Sequence, residues 1–540
     1  MIPPWRRLVF YGCIASAQLQ FPSLLDATID DLRGGLDAGA FSSVDLVNAY
    51  IGRISDASSL NAVTELNPKA LEIAAEVDRE RAQGKVRGPL HGIPILIKNN
   101  IASVENNNTA GSLALLGATS RDAFVVTRLR AAGAVILGKA GLSQWANFRS
   151  SNSSNGWSAH GGQVYGAYVQ NQDPSGSSSG CGVAAALGLA AVCIGTETDG
   201  SIASPAQRNG VVGIKPSVGL TSRDLVIPIS EHQDTIGPLA ATVKSAAYVL
   251  QAIAGQDPND NYTSAIPNSI PTLPDYVAAC QEDALSDARL GVPSNVLELF
   301  LEFDASRQVE VDAFTSALDT MRRAGAEVVE NTNFTELNAW ANSSAEGVVL
   351  RADFVTNLAS YLSKLTSNPN NITSLADVSR FTKTVAPGPE EFPSRNTATW
   401  DQALDPQSGF GNTDPRFFPF LQENLFLGGE GGLLGALERH QLDAIVLPTS
   451  FAPGFAAIVG APLVTLPLGF YPANTPRVMN RRGNLVDTAP NVPFGLSFLG
   501  RRFDEAKLIG FAFAFEQLTK VRGTVKPFLI PATEIRRGDL

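Results

Sequence analysis

Along the first 255 residues the apolar positions alternate between two spacings. In "SSVDLVNAYIGRI", Val44, Leu46, Val47, Tyr50 and Ile51 fall on one helical stripe, with Ser42 placed as an N-cap and Asp45 in the first turn. "NPKALEIAAEVDRERAQG" follows as a second helix that opens near Pro68 and stops at Gly84, so residues 28–83 are expected to be helical. After Gly92 the period is lost: "GIPILIKNNI" is a short unbroken apolar run, which predicts a buried strand delivering Lys98 at its end. "DAFVVTRLRAAGAVILGKA" predicts a helix, a stop at Gly133 and a second buried strand at 135–137. "GVAAALGLAAVCIGTE" predicts an Ala-rich helix feeding a third strand around 192–194. Strands alternating with helices argue for an α/β sheet.

From about 256 to 440 the character shifts. Pro- and Asn-rich connectors separate segments such as "ASRQVEVDAFTSALDTMRRAG", and this stretch reads as a largely helical, substrate-facing elaboration. Strand-like runs return in "LDAIVLPTS" and "NVPFGLSFLG", and "DEAKLIGFAFAFEQLTK" closes as a helix. The expected organisation is one domain, 18–540, with a core at 25–255 and 441–535. Residues 1–17 stand apart: Arg6 and Arg7 precede a short apolar run at 8–15, then small residues at Ala15 and Ala17, the order of a secretory signal peptide. Secretion is the expected localisation, with the cytoplasm as the alternative, and six Asn-x-Ser/Thr sequons (Asn107, Asn152, Asn261, Asn333, Asn342, Asn371) are compatible with it.

Composition narrows the partners. With 44% hydrophobic and 17% charged residues in 540, the chain is a folded globular one with length for a large core. A net charge of −11 sets general repulsion against nucleic acid, and no run approaches the ~20 apolar residues of a membrane helix. Cys13, Cys181, Cys193 and Cys280 show no CxxC or Cys/His ligand spacing, so neither a zinc site nor a disulfide framework is indicated and they read as buried small hydrophobes.

The candidate chemistry lies in "DPSGSSSGCG" (173–182), where Ser177, Ser178 and Ser179 are boxed by Gly176 and Gly180. As a flexible linker it is short and sits between structured segments. As a G-x-S-x-G elbow it centres on Ser178, but "YVQNQDPS" before it is a polar turn rather than a strand. A triad would also need His232 or His440, and His440 in "ERHQLDAI" reads as the end of a surface helix. The third reading joins the stretch to Lys98 and to Ser201 in "TETDGSI". A buried lysine loses its proton through desolvation and, once neutral, can act as a base that activates a serine. Small residues before Ser201 let backbone N–H groups converge on an oxyanion.

Together these segments resemble the amidase signature family. "GPLHGIPILIKNNI" is similar to its lysine segment, "PSGSSSGCGVAAALG" to its Gly/Ser-rich signature and "GTETDGSIASPAQRNGVVGIKPSVG" to its nucleophile segment. The resemblance runs from about 25 to 255 and resumes at 441–500, and "ANFRS…GWSA", "GSSSG" and "TETDGSI" resemble the peptide-amidase branch most. It implies the family fold, a mixed β-sheet core flanked by helices with a largely helical insertion.

The resemblance implies roles. Ser201 would be the nucleophile, Ser177 a bridging serine in a cis peptide, and Lys98 the general base. The N–H groups of Thr198, Asp199, Gly200 and Ser201 would form the oxyanion hole, and Ser178 would hydrogen-bond behind the triad. No metal, no cofactor and no obligatory protein partner are implied; the substrate would be a small-molecule or peptide amide. Asn99, where the family commonly has aspartate, puts the charge around Lys98 in question, and Ser175, Ser179 and Cys181 also depart from the usual pattern. The alternatives are acyl transfer to an amine on the same triad, the glutaminase subunit of a tRNA-dependent amidotransferase, an esterase using His440, and a non-catalytic binding protein on this scaffold.

Overall fold

The computed structural model describes residues 21–267 and 273–536. The expected signal segment 1–17, with Cys13, lies outside the described residues. The fold is organised by an 11-stranded mixed sheet. In chain order its strands are β1 (Val63–Leu66), β2 (Pro94–Lys98), β3 (Val135–Ala140), β4 (Val192–Glu197), β5 (Val212–Lys215) and β6 (Thr235–Ala240), followed by β7 (Arg289–Val292), β8 (Glu327–Glu330), β9 (Ala444–Pro448), β10 (Leu463–Phe470) and β11 (Pro493–Leu499). Across the sheet they run β1-β3-β2-β4-β6-β5-β10-β11-β9-β7-β8. β2 is parallel to both β3 and β4, and β4 is antiparallel to β6, with Val192 opposite Ala240. Strands β2 to β6 are buried on both faces, which is why they read as unbroken apolar runs rather than alternating ones.

The helix behind Ser42 forms over Ser43–Asp56 with the expected capping box to Asp45, and the second forms over Ala70–Ala82. Between them the expected continuous helix is broken: Val63–Leu66 is an edge strand, antiparallel to β3. Shortly after the first helix, Asn61 is left-handed at φ 55°, which turns the chain onto the sheet edge. The 256–440 stretch is largely helical, as in Gln308–Arg323 and Ala345–Ser363, and it also supplies β7 and β8 to the far edge of the sheet. No described helix is long and apolar enough to cross a membrane.

The helix Ser179–Leu187 is buried along its whole length. Only Gly, Ala, Ser, Cys and one Val and Leu fit there: a Cβ on Gly180 would stand 2.3 Å from the Ala62 carbonyl, and one on Gly182 2.7 Å from that of Pro205. Its C-terminal carbonyls need donors, and Arg53, itself fully buried, supplies them, from Nη2 to Leu187 O and Nε to Gly188 O, both 2.7 Å. Cys181 on this helix is disulfide-bonded to Cys193 on β4, where both had been expected as isolated small hydrophobes; helix and strand pack face to face, so residues 12 apart in sequence meet. Cys280 is free. Replacing Arg53 by Met should leave these buried carbonyls without donors and lower unfolding free energy by about 2–4 kcal/mol, read from urea denaturation.

Candidate active site

β2 ends on Lys98, β4 runs through Thr196, and the start of the Ser179–Leu187 helix brings the serine run against both. The peptide Gly176–Ser177 is cis, as the family resemblance implied. Ser177, Ser178 and Ser179 are fully buried, so the stretch is no linker. Nor is it an elbow. No strand precedes it, Ser178 bonds to backbone rather than to a histidine, and His440 caps the helix Leu433–Arg439.

Lys98 is fully buried, and its Nζ contacts three acceptors: Ser177 Oγ at 2.7 Å, Thr196 Oγ1 at 2.9 Å and Thr196 O at 3.1 Å. Burial pulls its pKa down to about 7, against the opposing pull of the Asp234 and Glu197 carboxylates. The Thr196 carbonyl can only accept, and Thr196 Oγ1 already takes an N–H from Asn100 at 3.0 Å. A neutral amine that gives its two N–H groups to Thr196 O and Oγ1 has its lone pair free for the Ser177 hydroxyl.

Ser178 ties the two serine segments together. Its N–H donates to Ser201 O at 3.1 Å and its hydroxyl to Thr196 O at 3.1 Å, so it holds the strand carrying the lysine's acceptors and the loop carrying Ser201 in one frame. Ser143 backs the same loop: its N–H donates to Ser177 O at 3.1 Å, and its hydroxyl accepts from Gly156 N–H at 2.8 Å. The turn at Ser201 is closed by Glu197, whose Oε2 accepts from Ile202 N–H at 2.6 Å and Ala203 N–H at 2.8 Å. Gly200 is left-handed at φ 75°, which a side chain would strain. Among the described residues, the N–H groups of Thr198, Asp199, Gly200 and Ser201 have no protein acceptor, so four donors on one turn stand open to a ligand.

Asn99 does not alter the lysine's surroundings directly. Its side chain points to the opposite side of the strand end, where its Oδ1 accepts from Thr109 N–H at 3.2 Å. The carboxylate near Lys98 comes instead from Asp234, whose Oδ1 accepts from Thr198 Oγ1 at 2.6 Å and whose pKa burial raises to about 6. Thr196, Glu197, Asn100, Ser143 and Asp234 were not singled out in the sequence. For Thr196 and Asn100 a signal existed, since each lies inside a segment already named for its chemistry, "TETDGSI" and "GIPILIKNNI".

A cavity of about 280 Å³ opens beside Thr196, the partner of Lys98, and is walled by Asn100, Ala146, Thr198, Asp234 and Tyr361 as well. Its far wall belongs to the helix Ala345–Ser363, so the 256–440 stretch does face the site. Among the described residues one set of metal-type donors converges, Glu231, His232 and Asp353, within 4.8 Å of one another. It is knit internally: His232 Nδ1 lies 2.8 Å from Asp353 Oδ2, and Asn412 Nδ2 donates to Glu231 and to Asp353.

A family model for amidases matches residues 45–396. The chain belongs to the amidase signature family. It is 52% identical over 539 residues to a protein of Arthroderma benhamiae that carries an amidase designation, covering 95% of this chain and 89% of that one. It is 39% identical to the peptide amidase of Stenotrophomonas maltophilia, whose crystal structure superposes with a TM-score of 0.82 over 94% of this chain and 100% of the other. A glutamyl-tRNA(Gln) amidotransferase component of Chlorobium chlorochromatii is 29% identical over 506 residues, 89% of this chain and 97% of its own. The protein is an amidase-family hydrolase, and its mixed sheet with flanking helices is the peptide-amidase fold.

Changing Thr196 to Val in this amidase removes one acceptor of the lysine while keeping its shape. Lys98 should lose stabilisation of its ammonium form, its pKa should fall, and the acidic limb of a kcat/KM–pH profile should move to lower pH. With one N–H of the amine freed from Thr196, kcat should also drop, by roughly tenfold.

Proposed function

We propose that the protein hydrolyses a carboxylic amide through an acyl-enzyme on Ser201, with Ser177 and Lys98 as the proton relay. The observation that carries this is the 2.7 Å hydrogen bond between Ser177 Oγ and a fully buried lysine whose pKa sits near 7, so that the amine is available as a base at neutral pH. Lys98 takes the Ser177 proton as Ser177 takes that of Ser201. The Ser201 oxygen then bonds to the amide carbon. The negative charge that develops on the carbonyl oxygen is met by the open N–H groups of residues 198–201. As the C–N bond breaks, the relay returns a proton to the departing nitrogen, and water repeats the cycle in reverse to free the acid and Ser201. Neither a metal nor a cofactor has a step in this sequence.

The substrate in this reading is a small or peptide amide, with the C-terminal amide of a peptide as the leading case. What supports it is the likeness to a peptide amidase over nearly the full length of both chains. That full-length match to a peptide amidase also supports an enzyme acting without an obligatory protein partner. We further propose a secretory location. The Cys181–Cys193 disulfide favours an oxidising compartment, and five of the six sequon asparagines (Asn152, Asn261, Asn333, Asn342, Asn371) are exposed.

The test is ammonia release from a panel of amidated peptides and simple aliphatic and aryl amides, with products identified by mass spectrometry. Ser201→Ala should lower turnover at least about a thousandfold. Because protonated Lys98 has no lone pair, kcat/KM should fall as pH drops below about 7 and level off above it. A folded protein silent on the whole panel, or a rate independent of pH from 5 to 9, would remove the reading.

A further inference from the structure

The nucleophile turn carries one side chain that acyl transfer does not use. The backbone of Asp199 belongs to the oxyanion loop, and its side chain is exposed on the turn that carries Ser201. Surrounding protein holds its carboxyl well above the ordinary carboxylate range, and the Glu346 and Glu197 carboxylates push the same way. Glu346 comes from the helix Ala345–Ser363, and burial raises it too. Neither Asp199 nor Glu346 forms an ion pair among the described residues. Two acidic side chains thus act on one another through space, and only Lys215, at a distance, draws Asp199 the other way.

Two further groups face them. Gln233 is 1% exposed; its Nε2 donates to Glu346 Oε1 at 2.8 Å, while its own Oε1, buried beside that carboxylate, has no donor at all. Trp340 meets Asp199 over Gly454: the point where a Cβ on Gly454 would sit is 3.0 Å from Trp340 Cζ2 and 3.8 Å from Asp199 Oδ2. The indole is held in place by Phe455, with ring centres 4.4 Å apart. The two carboxylates and the amide oxygen together offer several acceptors beside an aromatic ring, and the one side-chain donor among them, Gln233 Nε2, is already given to Glu346 Oε1. A hard divalent metal ion would want six or more oxygens, which an indole wall denies it. A charged nitrogen with several N–H groups matches these features: it neutralises the acidic pair and lies against the ring.

We propose that Asp199, Glu346, Gln233 and Trp340 form a subsite for a positively charged nitrogen of the substrate, so that the preferred amide carries an alkylammonium group near the scissile bond. The inference rests on the reading of Ser201 as the site of acyl transfer, and it names the substrate class that this site selects.

The experiment separates the two. Calorimetric binding is measured on Ser201→Ala, which cannot turn over, with two matched pairs: N-acetyl-lysinamide against N-acetyl-norleucinamide, and leucinamide against N-acetyl-leucinamide. In at least one pair the ammonium-bearing member should bind about tenfold tighter, and Glu346→Gln in the same background should reduce that preference to about twofold or less. Glu346→Gln keeps the shape and the contact with Gln233, and its fold is checked by its thermal transition. Equal binding within both pairs, no binding by any of the four, or a preference that survives Glu346→Gln would overturn the subsite. Hydrolysis of any amide by the unmutated protein, lost on Ser201→Ala, would stand whatever that result.

Discussion

The structure turns on a lysine ammonium group that water does not reach. Lys98 ends an apolar strand inside a sheet covered on both faces, and no carboxylate touches its Nζ. Desolvation disfavours the charged form, and Asp234 and Glu197 act on it only through space, so the pull downward wins and the pKa settles at about 7. A carboxylate in direct contact would reverse that balance and hold the proton on the amine. The threonine beside it accepts hydrogen bonds without carrying charge, which orients the amine and leaves it basic.

The rest of the fold keeps that arrangement rigid. The helix Ser179–Leu187 has small residues throughout because it runs between sheet and helices with backbone carbonyls near its glycines. Arg53 closes its far end, the Cys181–Cys193 disulfide ties it to β4, and Ser178 at its near end bonds to both Thr196 and Ser201. Glu197 fixes the turn that follows. Lys98, Ser177 and Ser201 thus come from three segments that share one hydrogen-bonded frame. The helical stretch contributes Tyr361 to the cavity wall and brings Trp340 and Glu346 toward Asp199, so these surroundings and the Lys98–Ser177 pair come from different parts of the chain.

Much of this was legible in the residue pattern, and the failures are instructive. The runs around Lys98, Val135 and Val192 announced their strands because a doubly covered sheet demands unbroken apolar stretches. β1 was hidden because "VTEL" is four half-buried residues between two strong helices, too short to set a period of its own. β6 and β10 were missed because Pro238 and Pro467 lie inside them, and proline ordinarily argues against a central strand. Lys98, Ser177 and Ser201 were visible as motifs. Their partners were harder to see: Thr196 matters through the strand face it occupies, Asn100 through the turn after β2, and Asp234 and Glu346 through contacts made 36 and more than a hundred residues away in the chain.

The central claim is that Ser201 is the nucleophile and that neutral Lys98 activates it. The most direct measurement is labelling with an alkyl fluorophosphonate followed by peptide mass mapping, on the unmutated protein and on Lys98→Ala. The account predicts a single adduct on Ser201 and the loss of that adduct when Lys98 is replaced. An adduct on Ser177 or Ser178, or undiminished labelling of Ser201 without Lys98, would contradict it.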